Sequence, residues 1–426
     1  MGMKWTEEQS KVITLRDRNI LVSAAAGSGK TAVLVQRILS KIMDPDRPVD
    51  IDRLLIMTFT RAAAGEMKER ISNAIDQALY ENPDNEHLQR QAALIHNAQI
   101  TTIDGFCSYI IRNYFHMVEL DPGYRTAEEG ELKLLQEDVM KDLLEEAYEK
   151  ADPKFLSLVE CYASGKSDDE IRDMVYKLYQ AVMSHPYPEE WLEECMEVYR
   201  VQTIEELRET SWIQLLWETL DEKLDQAEAL TESARKICNE PDGPYFYDEA
   251  LVDDLNFWRE VRRCRETKDY DKVADILSGH TFAKLSAKRD SSIDPVKKEQ
   301  AKELRDEEKE ICKDLSTKFF NQKEEILLEL IACAREPLEG LVELTLQFKE
   351  AFSSKKREKN LLDFTDMEHF ALRILVEKVD GELIPTQAAR ELSEKYEEVM
   401  VDEYQDSNFV QELITTMVSG WVEKRK

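Results

Sequence analysis

The chain has 426 residues, of which 42% are hydrophobic and 34% charged, and its formal net charge is −31. That balance excludes a disordered chain, and the length exceeds one ordinary core, so two or three domains are expected. No apolar run approaches the roughly 18 residues of a membrane span, and the N-terminus lacks a signal-peptide core, so no membrane-spanning helix is expected in this sequence.

The acidity is unevenly spread. Residues 1–115 carry 14 basic and 14 acidic groups, residues 116–355 carry 33 and 58, and residues 356–426 carry 10 and 16. The middle therefore holds most of the negative charge, on faces expected to be solvated helices. A nucleic-acid groove needs only local positive charge and stacking side chains, so the total does not exclude DNA. Two local basic spots stand out, Lys284 with Lys288 and Arg289, and Lys355 with Lys356 and Arg357. Each either touches DNA or is solvated charge. The seven cysteines are odd in number, scattered and never paired as C-x-x-C. That pattern points to reduced thiols in the cytoplasm and to no zinc or iron–sulfur site.

In chain order, residues 19–23 read as a short buried strand entering the loop Ala24-Ala25-Ala26-Gly27-Ser28-Gly29-Lys30-Thr31. Beyond it Leu34, Ile38 and Ile42 keep helical spacing, and Val35 and Leu39 widen the stripe as for a helix on a sheet. Leu54 to Phe59 is a second apolar strand, followed by an alanine-rich helix start over 61–72, and Ala98 to Ile103 reads as a third strand. Alternating strands and helices with continuous apolar strands imply an α/β domain whose parallel sheet is covered on both faces. From 116 to 355 strand signals nearly vanish, and stretches 131–150, 204–239 and 297–352 have helical periodicity. This is an all-helical insertion (116–355) between the two parts of a nucleotide-binding domain, 1–115 and 356–426. The sheet resumes at Val399-Met400-Val401, which delivers Asp402, Glu403, Tyr404, Gln405 and Asp406.

The early loop fits phosphate. Gly27 and Gly29 allow a tight turn with N–H groups aimed inward, and the following helix N-terminus adds positive potential. Lys30 would reach the β- and γ-phosphates and Thr31 would ligate Mg²⁺. The strict G-x-x-x-x-G-K-[ST] form is broken at its first position, Ala24. In the late segment Asp402 would hold Mg²⁺ through water, and Glu403 would position and deprotonate an attacking water. The catalytic candidates are thus Lys30, Asp402 and Glu403, the metal candidates Thr31 and Asp402, and the cofactors ATP and Mg²⁺.

The blocks A-A-A-G-S-G-K-T, M-T-F-T-R-A-A-A-G-E-M-K-E-R, T-T-I-D-G-F-C and V-D-E-Y-Q-D-S-N, in this order, resemble the UvrD-like branch of superfamily-one DNA helicases. The large insertion and L-L-D-F-T-D-M (361–367) are most similar to the AddA (RexA) helicase–nuclease family. The resemblance covers 5–115 and 360–410 and implies a RecA-like P-loop NTPase domain with ATP bound by residues 24–31, Gln9 and Gln405. Gln9 would read adenine, although Thr6-x-x-Gln9 is also a helix capping box. Phe59, Thr60, Arg61 and Thr102 fall where the family touches single-stranded DNA, whereas Asp104 replaces a histidine and cannot donate to phosphate. Asp363-x-x-Asp366 reads more simply as a helix cap.

The implied function is an ATP-dependent DNA helicase of an AddAB-type helicase–nuclease, acting on single strands and duplex ends in double-strand break repair with an AddB-like partner subunit. Only twenty residues follow Asp406. The family's next motor segment, second motor domain and nuclease are therefore expected beyond this chain, which by itself should be close to inert. A UvrD-like helicase without nuclease, or a non-catalytic DNA-end or partner-binding module, are the other readings.

Overall fold

Residues 4–420, except 26, 119, 122, 164 and 166, are described by the structure, a computed structural model. The chain is mostly helical, with one three-stranded parallel sheet, a short parallel ladder of Arg125–Thr126 with Leu361–Leu362, and an antiparallel hairpin of Val376–Val379 with Glu382–Pro385. Arg125–Thr126 places a short strand inside 116–355, a stretch expected to be all helical. Its site-bearing elements are α1 (Glu7–Thr14), α2 (Lys30–Ile42), β1 (Leu54–Thr58), α3 (Arg61–Glu81), β2 (Gln99–Thr102), α4 (Ile103–Tyr114), α5 (Phe364–Leu375), β3 (Glu398–Val401) and α6 (Phe409–Val418). The strand order is β2-β1-β3, all parallel. Leu54 to Met57 pair with Glu398 to Val401, and Leu55 to Thr58 pair with Gln99 to Thr102.

Every residue of β1 is buried, because both faces of the sheet are covered. Successive side chains alternate across a strand, so Leu54 and Ile56 enter one core and Leu55 and Met57 the other. The first core is closed by Ile38 and Ile42 of α2 and by Met67, Ile71 and Ile75 of α3. The second is closed by Phe106 and Ile110 of α4, Ala371 and Leu372 of α5, and Val410 and Ile414 of α6. The helical stripe expected on α2 and the strands expected at 54–59, 98–103 and 399–401 are present.

Residues 19–23 depart from expectation. They form no strand; Leu21 is 82% exposed and Val22 43%. An apolar run becomes a strand only where a neighbouring edge takes its backbone groups. Among the described residues, the ladder ends at β3 on one side and β2 on the other.

Packing divides the chain into two units, the first comprising residues 1–152, 164–191 and 343–426 and the second 153–163 and 192–342. In the first unit, Asp363 and Asp366 form the capping box of α5. Both carboxylates meet Lys356, whose ammonium is 2.7 Å from each and only 2% exposed. Lys356 also lies 4.4 Å from the Phe352 ring centroid. Lys356 is therefore not the solvated charge that was one of its two expected readings, and its ammonium is committed to two half-buried acids. Helical spacing shows which residues share a face, but not that a long cation folds inward onto acids from the next element.

The regular elements of the second unit are all helices among its described residues. Its core packs Trp217, Trp258, Tyr270 and Phe320 among aliphatic side chains. Two expected helices are each broken. The stretch 204–239 is Ile204–Glu209 and Ser211–Cys238, restarted by Thr210, whose hydroxyl caps the second helix. The stretch 297–352 is Pro295–Asp314 and Glu324–Glu358, separated by a π turn in which Phe320 N–H donates to Leu315 O at 2.7 Å. Leaving the helix there lets Phe320 bury its ring 4.9 Å from that of Tyr270. Apolar periodicity continues across both breaks, so it does not mark them.

Beside that core, Arg305 makes two hydrogen bonds to Asp254, and Trp258 Nε1 donates to Glu308 Oε1 at 2.6 Å, all fully buried. Glu308 Oε2 has no hydrogen-bond partner. Burial pushes the Glu308 carboxyl up to about 7, with the Trp258 hydrogen bond opposing. A carboxyl raised on folding holds its proton more tightly in the native state. Its contribution is therefore full below the unfolded pKa and is lost as pH rises through about 7. Denaturation of the protein from pH 5 to pH 8 should show the second unit losing on the order of 3 kcal/mol from this group. Glu308→Gln should remove most of that slope.

Candidate nucleotide site and adjoining surface

The loop ahead of α2 is shaped by two glycines. Gly27 (φ +78°) and Gly29 (φ +85°) are left-handed, a conformation that other residues adopt only under strain. Gly29 is also the N-cap of α2 and supplies no side-chain cap, so the first N–H groups of the helix stay open to a ligand. Residues 24, 25, 27, 28 and 29 are exposed, and Ala26 lies outside the described residues.

Gln9 holds this loop from α1. Its side-chain oxygen accepts from Thr6 N–H at 3.0 Å and its backbone N–H donates to Thr6 Oγ1 at 3.2 Å, completing the capping box. The side-chain amide nitrogen donates to Ser28 O at 3.1 Å. The position of α1 is set by Arg37 of α2, which donates to Leu15 O at 2.8 Å and pairs with Glu398 of β3 at 2.6 Å. Lys41 also pairs with Glu398.

The second half of the site is delivered by β3. Its register beside β1 continues one step further, Asp402 N–H donating to Met57 O at 2.8 Å. Glu403 then turns left-handed at φ +55°. A non-glycine residue held there stores strain of order 1–3 kcal/mol, which recurs at functional sites. Its carboxylate meets Lys30 Nζ at 3.4 Å and accepts from the Gln405 side-chain amide. The Thr31 side chain lies beside the Asp402 carboxyl and favours its charged form.

The two carboxyls are driven apart electrostatically. The Gln405 hydrogen bond, followed by Lys30, holds Glu403 below its ordinary range. Burial, with repulsion from Glu403, raises Asp402, while Lys30 and Thr31 oppose. An exposed, readily ionised carboxylate thus sits next to a half-buried one, a pairing that separates a proton acceptor from a ligand.

This arrangement fits a nucleotide phosphate with a hard cation. The Lys30 ammonium is matched by one long contact, so a phosphate oxygen can replace its carboxylate partner. The Thr31 hydroxyl and Asp402 carboxylate are oxygen ligands of the kind Mg²⁺ takes. Among the described residues no three His, Cys, Asp or Glu side chains converge to cage a metal. An ion here would therefore rest on Thr31, Asp402, water and the nucleotide's own oxygens.

The ends of β1 and β2 adjoin, Thr58 beside Thr102. Phe59 follows β1 and is 63% exposed. Thr60 caps α3, its hydroxyl accepting from Ala63 N–H at 3.1 Å. Arg61 is exposed and its charge pulls down the Asp104 carboxyl, which burial raises. Thr102 is buried and caps α4 by accepting from Gly105 N–H at 3.1 Å. Gly105 has no room for a side chain: an added Cβ would lie 2.2 Å from Thr101 Oγ1.

The structure thus brings together Gln9, Ser28, Lys30, Thr31, Asp402, Glu403 and Gln405, and separately Phe59, Thr60, Arg61 and Thr102. Of the second group only Phe59 and Arg61 present side chains not already spent on capping or burial. Sequence reasoning missed the Gln9 contact with Ser28 and the Arg37–Glu398–Lys41 cluster. No local pattern announces either, since both join distant segments.

The profile of the UvrD/REP helicase N-terminal domain matches residues 5–423. An ATP-dependent helicase/nuclease subunit of Lachnoclostridium phytofermentans is 48% identical over 417 residues, covering 97% of this chain and 30% of the relative. Proteins of the same name from Clostridium perfringens and Bacillus pumilus are 43% and 38% identical, over 98% and 97% of this chain and 33% and 34% of theirs. The chain thus spans about a third of the length of these relatives. With the match running almost from end to end, the chain belongs to the UvrD/REP helicase N-terminal domain family.

Proposed function

We propose that this chain is the ATP-binding first motor domain of an ATP-dependent DNA helicase, with its helical insertion, from an AddAB-type helicase–nuclease that processes broken DNA ends for recombination. The observation that carries the reading is the Lys30–Glu403 pair, two residues 373 positions apart that meet at one loop. Family membership and the relatives' name support it. In this reading residues 1–115 and 356–426 are the RecA-like motor and 116–355 the insertion. The partners are single-stranded and duplex-end DNA and an AddB-like subunit, and nuclease activity belongs to the longer protein. The free cysteines fit the reducing cytoplasm, and no helix among the described residues is long and apolar enough to cross a membrane.

ATP–Mg²⁺, when bound, supplies the phosphoanhydride to be cleaved and neutralises phosphate charge. The chain supplies position and proton transfer. N–H groups around Gly27 and Gly29 receive phosphate oxygens, and Lys30 exchanges Glu403 for phosphate. Thr31 and Asp402 would hold the metal. Glu403, released from Lys30 but still held by Gln405, is ionised near neutral pH and accepts a proton from water. Gln9 fixes the loop through Ser28, and its side-chain amide would read the adenine edge. Phe59 offers a face for base stacking and Arg61 a charge for phosphate.

Lys30→Ala in the full-length protein should abolish ATP hydrolysis with unchanged circular dichroism and melting temperature. Turnover near the wild-type rate would refute the phosphate-loop assignment. Phe59→Ala should weaken single-strand binding by about 1–3 kcal/mol. Because stacking releases no counterions, that loss should be nearly the same at low and high salt. A loss that vanishes at high salt would instead make the effect electrostatic.

A further inference from the structure

Glu368 of α5 is 5% exposed and has no cationic partner among the described residues. Its carboxylate is satisfied by two side-chain amides instead. Asn408 Nδ2 donates at 3.0 Å and Gln411 Nε2 at 2.6 Å. Burial raises this carboxyl and Asp104 and Asp363 add repulsion, while the two amides stabilise its charge. A buried charge without a cation is costly unless its hydrogen bonds do something the fold needs.

The two amides are the capping box of α6. Asn408 Oδ1 accepts from Gln411 N–H at 2.8 Å, and Gln411 Oε1 accepts from Asn408 N–H at 3.3 Å. Each amide therefore turns its oxygen to the helix and its NH₂ group to Glu368. A carboxylate only accepts, so it dictates that orientation for both. Asn408 begins α6 directly after the turn carrying Glu403 and Gln405. The upstream end of that turn is tied to β1 through Asp402 N–H and Met57 O, and within it Asp406 N–H donates to Glu403 O at 3.0 Å. The strained Glu403 is thus held between two fixed ends.

We propose that Glu368 is a positioning residue for the hydrolytic turn, its carboxylate locking Asn408 and Gln411 so that Glu403 and Gln405 keep their places. The proposal rests on the nucleotide-site reading for its catalytic consequence and on geometry alone for its structural one. Glu368→Gln puts a donor against two donors, so one amide must flip and give up its cap bond. Pairing it with Asn408→Asp restores the match. The introduced amide would then donate to one oxygen of the introduced carboxylate and accept from Gln411, while the other carboxylate oxygen keeps the cap.

The test uses the full-length protein. E368Q should cut kcat for ATP hydrolysis by about 10–100-fold, the scale of a slight misplacement of catalytic groups. The KM for ATP should stay near wild type, and the E368Q/N408D double variant should recover most of kcat. Amide hydrogen exchange over 402–408 should speed up in E368Q and return in the double variant. Wild-type kcat and exchange in E368Q, or a folded double variant as impaired as the single, would overturn the proposal. If E368Q does not fold, an active double variant supports the proposal and an inactive one refutes it. Turnover surviving in Lys30→Ala would instead indict the nucleotide reading, and the exchange measurement would still decide the role of Glu368.

Discussion

The ladder between β1 and β3 is the constraint on which the site depends. Lys30 and Glu403 are 373 residues apart, and they meet because Leu54 to Met57 pair in register with Glu398 to Val401. Side chains alternate along a strand, so a slip of one residue would exchange the two cores and turn Asp402 away from Thr31. The large insertion costs less than its length suggests. Each doubling of a closed loop adds only about 0.6 kcal/mol of chain entropy, an amount the buried face of β3 can offset. The burden falls on folding speed, because the strands pair only after most of the chain has been made.

Electrostatics separates sealed ion pairs, found in both compact units, from the exchangeable pair of the site: Lys356 with Asp363 and Asp366 is sealed in the first unit. In the second, Arg305 and Asp254 are each 1% exposed, so removing either would strand a buried charge. At the candidate site, Lys30 and Glu403 are 29% and 39% exposed and 3.4 Å apart. A pair so placed is worth roughly 0–1 kcal/mol, little enough for a phosphate to displace. Structural ions are sealed, whereas those of the site can be exchanged. The same contrast explains why the total charge of −31 says little about DNA: what matters is whether Phe59 and Arg61 are free beyond the end of β1.

Much of this was legible in the sequence. Continuous apolar runs announced the three strands, glycines and the Gly-Lys-Thr step announced the loop, and adjacent acids after an apolar strand announced its partner. Thr6-x-x-Gln9 and Asp363-x-x-Asp366 were readable as caps. The failures share a physical cause. Residues 19–23 are as apolar as a strand but find no edge, and Leu21 lies open. Lys356 looks like surface charge until Asp363 and Asp366 arrive beside it. The helix over 297–352 breaks where Phe320 leaves it to fill a core made by other helices. Each turns on how other elements pack, which local pattern cannot supply.

The most direct test of the account is a crystal structure of the protein with a non-hydrolysable ATP analogue and Mg²⁺. The account predicts a triphosphate seated on residues 24–31, the metal beside Thr31 and Asp402, and Lys30 parted from Glu403. A nucleotide bound elsewhere, with the Lys30–Glu403 pair intact, would contradict it.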